Sequence, residues 1–258
     1  MRMADLGPAI MVPYHLDEPR PHLRAPVTPE VTVSVDLPEA DSWQRMAVLY
    51  DQVAASVARA VESGGGALVV SGDCTTSYGV VTGLQRAGLR PSIVWLDGHG
   101  DVQTLETTTS GYLGGMPLRV LTGYRPELVA DRIGLDPVPE DHVVLVDARD
   151  LDPPERAYLD TAPLRRCEVA ELTAATVPDG PVYLHVDLDV VDPGEVPGLL
   201  FPAPGGPSLS EVAVAVQRVL DTGRVAAVGL ACTWSEYSAA AEVVRMALKL
   251  DGCPRQAT

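Results

Sequence analysis

The sequence predicts an α/β fold in which a mostly parallel sheet carries helices on both faces. Two patterns lead to this expectation. Short apolar runs alternate along the chain with stretches whose apolar residues recur every three or four positions, the signature of strands alternating with amphipathic helices. The polar clusters also fall directly behind the apolar runs, and such sheets bind ligands beyond the carboxyl ends of their strands. With 258 residues and 46% hydrophobic content, the chain can bury one large core, so residues 1–258 are read as one domain.

The elements follow in order. The first forty residues are rich in proline and charge, with a strand-like alternation at Val31-Thr32-Val33-Ser34-Val35, and read as an edge segment plus loop. From Asp41 to Glu62 the pattern is helical: Met46, Leu49, Val53, Val57 and Val61 share one face, and Gly64-Gly65-Gly66 ends it. A buried strand from Ala67 to Val70 runs into Ser71-Gly72-Asp73-Cys74 and a helix starting near Thr75. The strand at 92–96 leads into a long loop, the strand at 142–147 into Ala148-Arg149-Asp150-Leu151-Asp152, and the strand at 182–187 into a carboxylate cluster. A helix at about 208–222, a strand at 225–231 and a helix from about Ala239 to Leu250 close the series.

Charge excludes several function classes. The 35 Asp and Glu against 19 Lys and Arg give a formal net charge of -16, which opposes binding to nucleic acid or an anionic membrane. No apolar run is long enough to span a bilayer, and the N-terminus lacks the apolar core of a signal peptide, so a cytoplasmic location is expected. Cys74, Cys167, Cys232 and Cys253 show no C-x-x-C spacing, which fits reduced thiols.

The pentapeptide Asp97-Gly98-His99-Gly100-Asp101 sets three potential metal ligands at alternate positions behind the run Ser92-Ile93-Val94-Trp95-Leu96. Alternate residues of an extended chain point to the same side, so Asp97, His99 and Asp101 converge if the pleat continues. The glycines between them suit close approach of backbone to something else. A second cluster, Asp187-Leu188-Asp189-Val190-Val191-Asp192-Pro193, follows Val182-Tyr183-Leu184-His185-Val186. Asp-Gly and Asp-Pro are also ordinary turn chemistry. Two strand-end clusters with four carboxylates and an imidazole nevertheless favour a hard-cation site, because carboxylates so crowded need a counter-charge.

These residues carry a resemblance. From about residue 67 to 250 the chain resembles the arginase and agmatinase ureohydrolases: Asp97-Gly-His99-Gly-Asp101 for the family's D-A-H-x-D, Asp187-Leu-Asp189-Val-Val-Asp192-Pro193 for its D-x-D-x-x-D-P, and Ser71-Gly-Asp73-Cys74 for its G-G-D-H. The resemblance implies a three-layer α/β/α fold and one or two Mn2+ ions, the full pair being bridged by a hydroxide that attacks a guanidinium carbon. Asp97 and Asp187 would bridge both metals, Asp101 would complete the first site with Cys74, and His99 with Asp189 the second; Asp97, Asp101 and Asp187 are thereby the catalytic residues. Gln103 and Ser110, in a run similar to the arginase D-I-N-T-x-x-T-T-S-G, would hold a substrate carboxylate. Asp152 and Glu155, in Arg149-Asp150-Leu151-Asp152-Pro153-Pro154-Glu155, would serve its amino group, although Asp152 and Pro153 also read as an ordinary helix start. Together they imply a small amino acid substrate and, as in many relatives, a homo-oligomer.

Three positions depart from the family's pattern. Cys74 stands where the family has a histidine ligand, and its softer thiolate should weaken manganese or admit a softer ion; a small buried apolar role is the alternative. This cysteine is similar to that of the N-omega-hydroxy-L-arginine amidinohydrolase subgroup, which makes hydroxyurea and ornithine in specialised metabolism. Gly114 replaces a histidine, a loss that matters less for a less basic hydroxyguanidine. Trp234 falls where a glutamate pairs with the guanidinium; its face could stack on a planar cation, and Glu236, two residues on, could substitute for the glutamate or cap the following helix. The sequence thus points to an amidinohydrolase of an arginine-like amino acid. An impaired arginase-fold binding protein, or a hydrolase of another guanidino, formimino or amide C–N bond, stays open.

Overall fold

The computed structural model describes Met3, residues 6–235 and residues 238–250. Eight strands form one sheet: β1 (Ala9–Val12), β2 (Val31–Thr32), β3 (Ala67–Ser71), β4 (Ser92–His99), β5 (Val143–Asp150), β6 (Arg165–Cys167), β7 (Val182–Asp187) and β8 (Val225–Ala231). Their spatial order is β2-β1-β3-β8-β7-β4-β5-β6, and every neighbouring pair is parallel. The main helices are α1 (Ser42–Glu62), α2 (Ser77–Arg86), α3 (Pro117–Leu121), α4 (Ala130–Ile133), α5 (Pro153–Leu159), α6 (Leu209–Leu220) and α7 (Ala240–Ala247).

The apolar runs are explained by burial on both faces, as a parallel sheet requires. Within β4, Ile93 and Trp95 join the core layer under α1 and α2, while Val94 and Leu96 join the layer under α6 and α7. This confirms the three-layer α/β/α arrangement. Two strands escaped the sequence pattern. β1 is only four residues between Pro8 and Pro13, and β6 begins with two exposed arginines, so neither offers the length or alternation that marks a strand. The edge reading of Val31 holds, although only Val31 and Thr32 pair as strand.

Parallel pairing places every strand's carboxyl end on one side of the sheet. The turns after β3, β4, β5, β7 and β8 therefore meet in one region, with β7 and β4 adjacent at its centre. Behind this region α1 and α2 pack with almost no clearance. A Cβ at Gly83 would lie 2.6 Å from Val57 Cβ and 2.7 Å from the Ala54 carbonyl oxygen, and one at Gly79 would lie 2.7 Å from Val53 Cβ. Alanine normally gains about 1 kcal/mol over glycine inside a helix. Here overpacking should outweigh that, so Gly83→Ala is expected to lower unfolding stability by roughly 1–3 kcal/mol, read from the urea midpoint at unchanged m-value; a neutral or stabilised variant would show that the helices part easily.

Candidate metal centre and pocket

Each ligand is aimed by its own stretch of backbone. β4 stays extended through Asp97, where its register with β5 slips before His99. Asp97 Oδ1 accepts from the His99 backbone N–H at 2.7 Å, and Asp187 Oδ1 likewise accepts from the Asp189 N–H at 3.0 Å. The Gly98 N–H donates to Asp189 Oδ1 at 3.1 Å and ties the two clusters together. The glycines are needed for proximity: a Cβ at Gly98 would lie 2.7 Å from Ala203 Cβ, and one at Gly100 would lie 2.7 Å from Leu151 Cδ2. Asp101 does not arrive by strand alternation as the sequence suggested. It sits at φ 53°, in the left-handed region, where the backbone N–H of Leu118 at the start of α3 donates to its carbonyl at 3.0 Å.

The pocket is lined by Cys74, Asp97, His99, Asp101, Asp187 and Asp189 at its base and by Gln103, Ser110, Asp152 and Glu155 on its wall. His99 Nδ1 lies 3.1 Å from Asp189 Oδ2 and 3.5 Å from Asp97 Oδ1. The Cys74 thiol donates to Asp187 Oδ2 at 2.8 Å, so it is turned towards the carboxylates and is not merely packed among apolar side chains. Asp152 accepts from Gln103 Nε2 at 2.8 Å, and Gln103 Oε1 accepts from Thr107 Oγ1. Glu155 accepts from the backbone N–H groups of Asp152 and Val102, so the helix-start role of this motif and its place in the pocket coexist.

Electrostatics mark the base as a cation site. Burial pushes the Asp101 and Asp187 carboxyls well above the usual carboxylate range, reinforced at Asp101 by Asp97 and Asp187, and at Asp187 by Asp189 and Asp97. Asp189 is pushed up to about 6 by burial and by Asp97. Burial also opposes ionisation of Asp97, but His99 prevails and holds it below its ordinary value. His99 itself rises to about 12 against the pull of burial, through Asp189 and Asp97. Asp101 Oδ2 is buried without a hydrogen-bond partner. Ligand atoms of Asp97, His99 and Asp189 lie within 4.8 Å of one another. The residues therefore fit divalent metal: oxygen donors dominate, one imidazole and one thiol complete the set, and a buried carboxylate oxygen is left unserved.

Trp234 is a correction. Its indole does not line the pocket; it is 1% exposed within the core layer under α6 and α7, and Nε1 donates to the Arg24 carbonyl at 3.3 Å. After β8 the Cys232 N–H bonds to the Ser71 carbonyl, the Trp234 N–H turns back to the Cys232 carbonyl, and Trp234 bridges to Leu199. That turn swings the indole inward and leaves Thr233 at the pocket, where its hydroxyl donates to Asp187 Oδ2 at 3.3 Å. Glu236 lies outside the described residues.

Other pocket residues had no sequence signal of their own. Tyr112 lies over Gly114: a Cβ there would fall 2.3 Å from the phenol ring, so the missing side chain is what admits the tyrosine. Tyr112 Oη is 3.1 Å from His15 Nε2, and His15 Nδ1 donates to the Gly72 carbonyl at 3.0 Å. Because a carbonyl only accepts, Nδ1 of His15 carries a proton, and where Nε2 carries none the phenol donates to it. Phe201 packs on Tyr112 at 4.8 Å between centroids. Arg149, at the head of the motif that ends in Asp152 and Glu155, pairs with Asp147 at 2.7 Å and donates to the carbonyls of Asp189, Val190, Ala203 and Pro204. It thereby clamps the segment that carries Asp189.

Comparison with known proteins supplies the relationship. The chain is 32% identical over 187 residues to an arginase of Bacillus subtilis (strain 168), covering 67% of this chain and 63% of that protein. It is 32% identical over 188 residues to an N(omega)-hydroxy-L-arginine amidinohydrolase of Streptomyces lavendulae, covering 71% and 63%. Both alignments thus span less than two thirds of the relative's length. The fold is similar to that of an arginase from Bacillus cereus, with a TM-score of 0.77 at 23% identity, covering 96% of this chain and 99% of that one. The profile of the arginase family matches residues 6–250, and with the relatives' identity this shows that the chain belongs to the arginase family.

Proposed function

We propose that the chain is a metal-dependent amidinohydrolase that cleaves the guanidino C–N bond of an arginine-like amino acid, with N-omega-hydroxy-L-arginine favoured over arginine. One observation carries this reading: a buried thiol, buried carboxylates and a half-buried imidazole share a pocket with a wall bearing Gln103, Ser110, Asp152 and Glu155. The base suits metal-assisted hydrolysis and the wall suits the charged ends of an amino acid. The family relationship supports the reaction class, and Cys74 together with similarity to the S. lavendulae protein supports the hydroxylated substrate.

Cys74, Asp97, Asp101 and Asp187 would hold one metal, and Asp97, His99, Asp187 and Asp189 the other, the second set suiting Mn2+. Bound metal supplies Lewis acidity and makes water a usable nucleophile near neutral pH. The protein groups act around it. Asp152 attracts the α-ammonium, held in place by Gln103 Nε2. The Ser110 hydroxyl offers a hydrogen bond to the α-carboxylate. Asp101 Oδ2, buried and without a hydrogen-bond partner, would take the proton lost as water adds to the guanidino carbon and return it to the departing nitrogen. Thr233, at the pocket where Trp234 had been expected, carries no charge to pair with a guanidinium, which suits a less basic hydroxyguanidine.

Purified protein with added Mn2+ or Co2+ is expected to release ornithine from hydroxyarginine faster than from arginine; no ornithine from either substrate with any divalent metal would sink the proposal, and turnover of a formimino or other guanidino compound would redirect it. Asp152→Ala should raise KM at least about tenfold, the worth of a hydrogen bond to a charged group, while kcat changes less; an equal fall in kcat at constant KM would remove Asp152 from substrate binding. Trp234→Glu should destabilise the fold by roughly 3 kcal/mol or more, since it puts a charge into an apolar layer. A folded Trp234→Glu variant with improved arginine turnover would mean that the indole reaches substrate after all.

A further inference from the structure

Below the cluster lies an imidazole that no sequence motif accounts for. His185 is on β7, two residues before Asp187 and therefore on the same side of the strand, and it is 1% exposed. Its ring stacks on Trp95 at 3.6 Å between centroids, and Trp95 Nε1 in turn donates to Asp97 Oδ2 at 3.0 Å. His185 Nδ1 lies 3.1 Å from Ser77 Oγ and 3.0 Å from Tyr183 Oη, which are 2.8 Å apart. Space for the Tyr183 hydroxyl is provided by Gly229 on β8, where a Cβ would sit 2.2 Å from that oxygen. The other ring nitrogen, Nε2, faces Cys74 Sγ at 3.2 Å.

This surrounding matches what an imidazole ligand needs. A metal-bound histidine donates its second N–H to an oxygen, which fixes tautomer and orientation. Here two hydroxyl oxygens lie against Nδ1, and with the ring proton on Nδ1 donated to either of them the Nε2 lone pair faces Cys74. Ligand atoms of Cys74, Asp97 and His185 all lie within 4.8 Å of one another. One ion at about 2.3 Å from sulfur and about 2.1 Å from nitrogen spans a 3.2 Å separation without rearrangement. A thiol alone is a weak hydrogen-bond partner for a buried ring nitrogen, and Asp101 Oδ2 nearby also lacks a partner.

We propose that His185 Nε2 is a ligand of the first metal position beside Cys74, so that an imidazole missing at position 74 is supplied from β7. The inference rests on reading the cluster as a metal centre. It gives the two positions different chemistry. An imidazole and thiolate pair makes the first position selective for a borderline divalent ion such as Co2+ or Zn2+ over Mn2+, while His99 with three carboxylates keeps the second position hard.

Cobalt titration of the full chain tests this, because a thiolate-to-cobalt charge-transfer band that is lost in Cys74→Ser reports the Cys74 position. The wild type should develop the band, and His185→Gln should lose at least about 100-fold in cobalt affinity by that band, since changes merely outside the ligand shell cost 10–100-fold. Manganese affinity at the other position should stay unchanged. Equal band affinity and an unchanged visible spectrum in His185→Gln would overturn the proposal. If the variant does not fold, pulsed EPR of wild-type protein carrying 15N-histidine decides: two coordinated imidazoles across the loaded centre are expected, and one overturns it. A wild type that binds cobalt without a thiolate band overturns the pair but leaves the metal centre; one that binds no divalent ion overturns both.

Discussion

Mutual repulsion among four buried carboxylates is the constraint on which the rest of the structure depends. Two unit charges about 4 Å apart in a protein-like medium repel by roughly 4 kcal/mol, and Asp97, Asp101, Asp187 and Asp189 converge in one pocket. The protein opposes this in three ways. His99 Nδ1 sits 3.1 Å from Asp189 Oδ2 and 3.5 Å from Asp97 Oδ1, and against the pull of burial these carboxylates push its pKa up to about 12. Backbone N–H groups of Gly98, His99 and Asp189 point at carboxylate oxygens. Burial, reinforced by the remaining repulsion, raises the proton affinity of Asp101, Asp187 and Asp189, which a divalent ion can exploit by displacing those protons.

Holding such a cluster together demands a rigid frame. The central strands β4 and β7 are hydrogen-bonded to each other and covered by a helical layer on each face, so the carboxylates cannot drift apart to relieve the repulsion. Arg149 extends the frame past the strand ends by bonding to four carbonyls around Asp189, and Gly206 keeps space for its guanidinium. The Arg149 guanidinium is thus engaged by Asp147 and by backbone carbonyls.

The mouth of the pocket is put together from distant parts of the chain. His15, from the hairpin that follows β1, reaches the Gly72 carbonyl beside the Cys74 turn and accepts from Tyr112, whose ring fills the space above Gly114. Among the described residues, this part of the pocket also bears the hydroxyls of Thr233, which donates to Asp187, and of Tyr112, which bonds to His15.

Much of the centre was legible in the sequence, because strand-end ligands announce themselves by apolar runs followed by alternating polar residues. The alternation of helices and strands settled the layered parallel sheet, and Asp97, His99, Asp187, Asp189 and Cys74 followed from motif and order. Tertiary structure alone decided the rest. Asp101 enters through a left-handed residue, which no periodicity reveals. Trp234 leaves the pocket because a tight turn after β8 reverses the side-chain sense by one position, handing the site to Thr233. His15, Tyr112 and His185 have no local signature, since each acquires its role from a partner far away in sequence: Gly72, His15 and Cys74. A sequence pattern records which way a side chain leaves its own strand; what it meets there depends on the strand order, which places β3, β7 and β4 around one hollow.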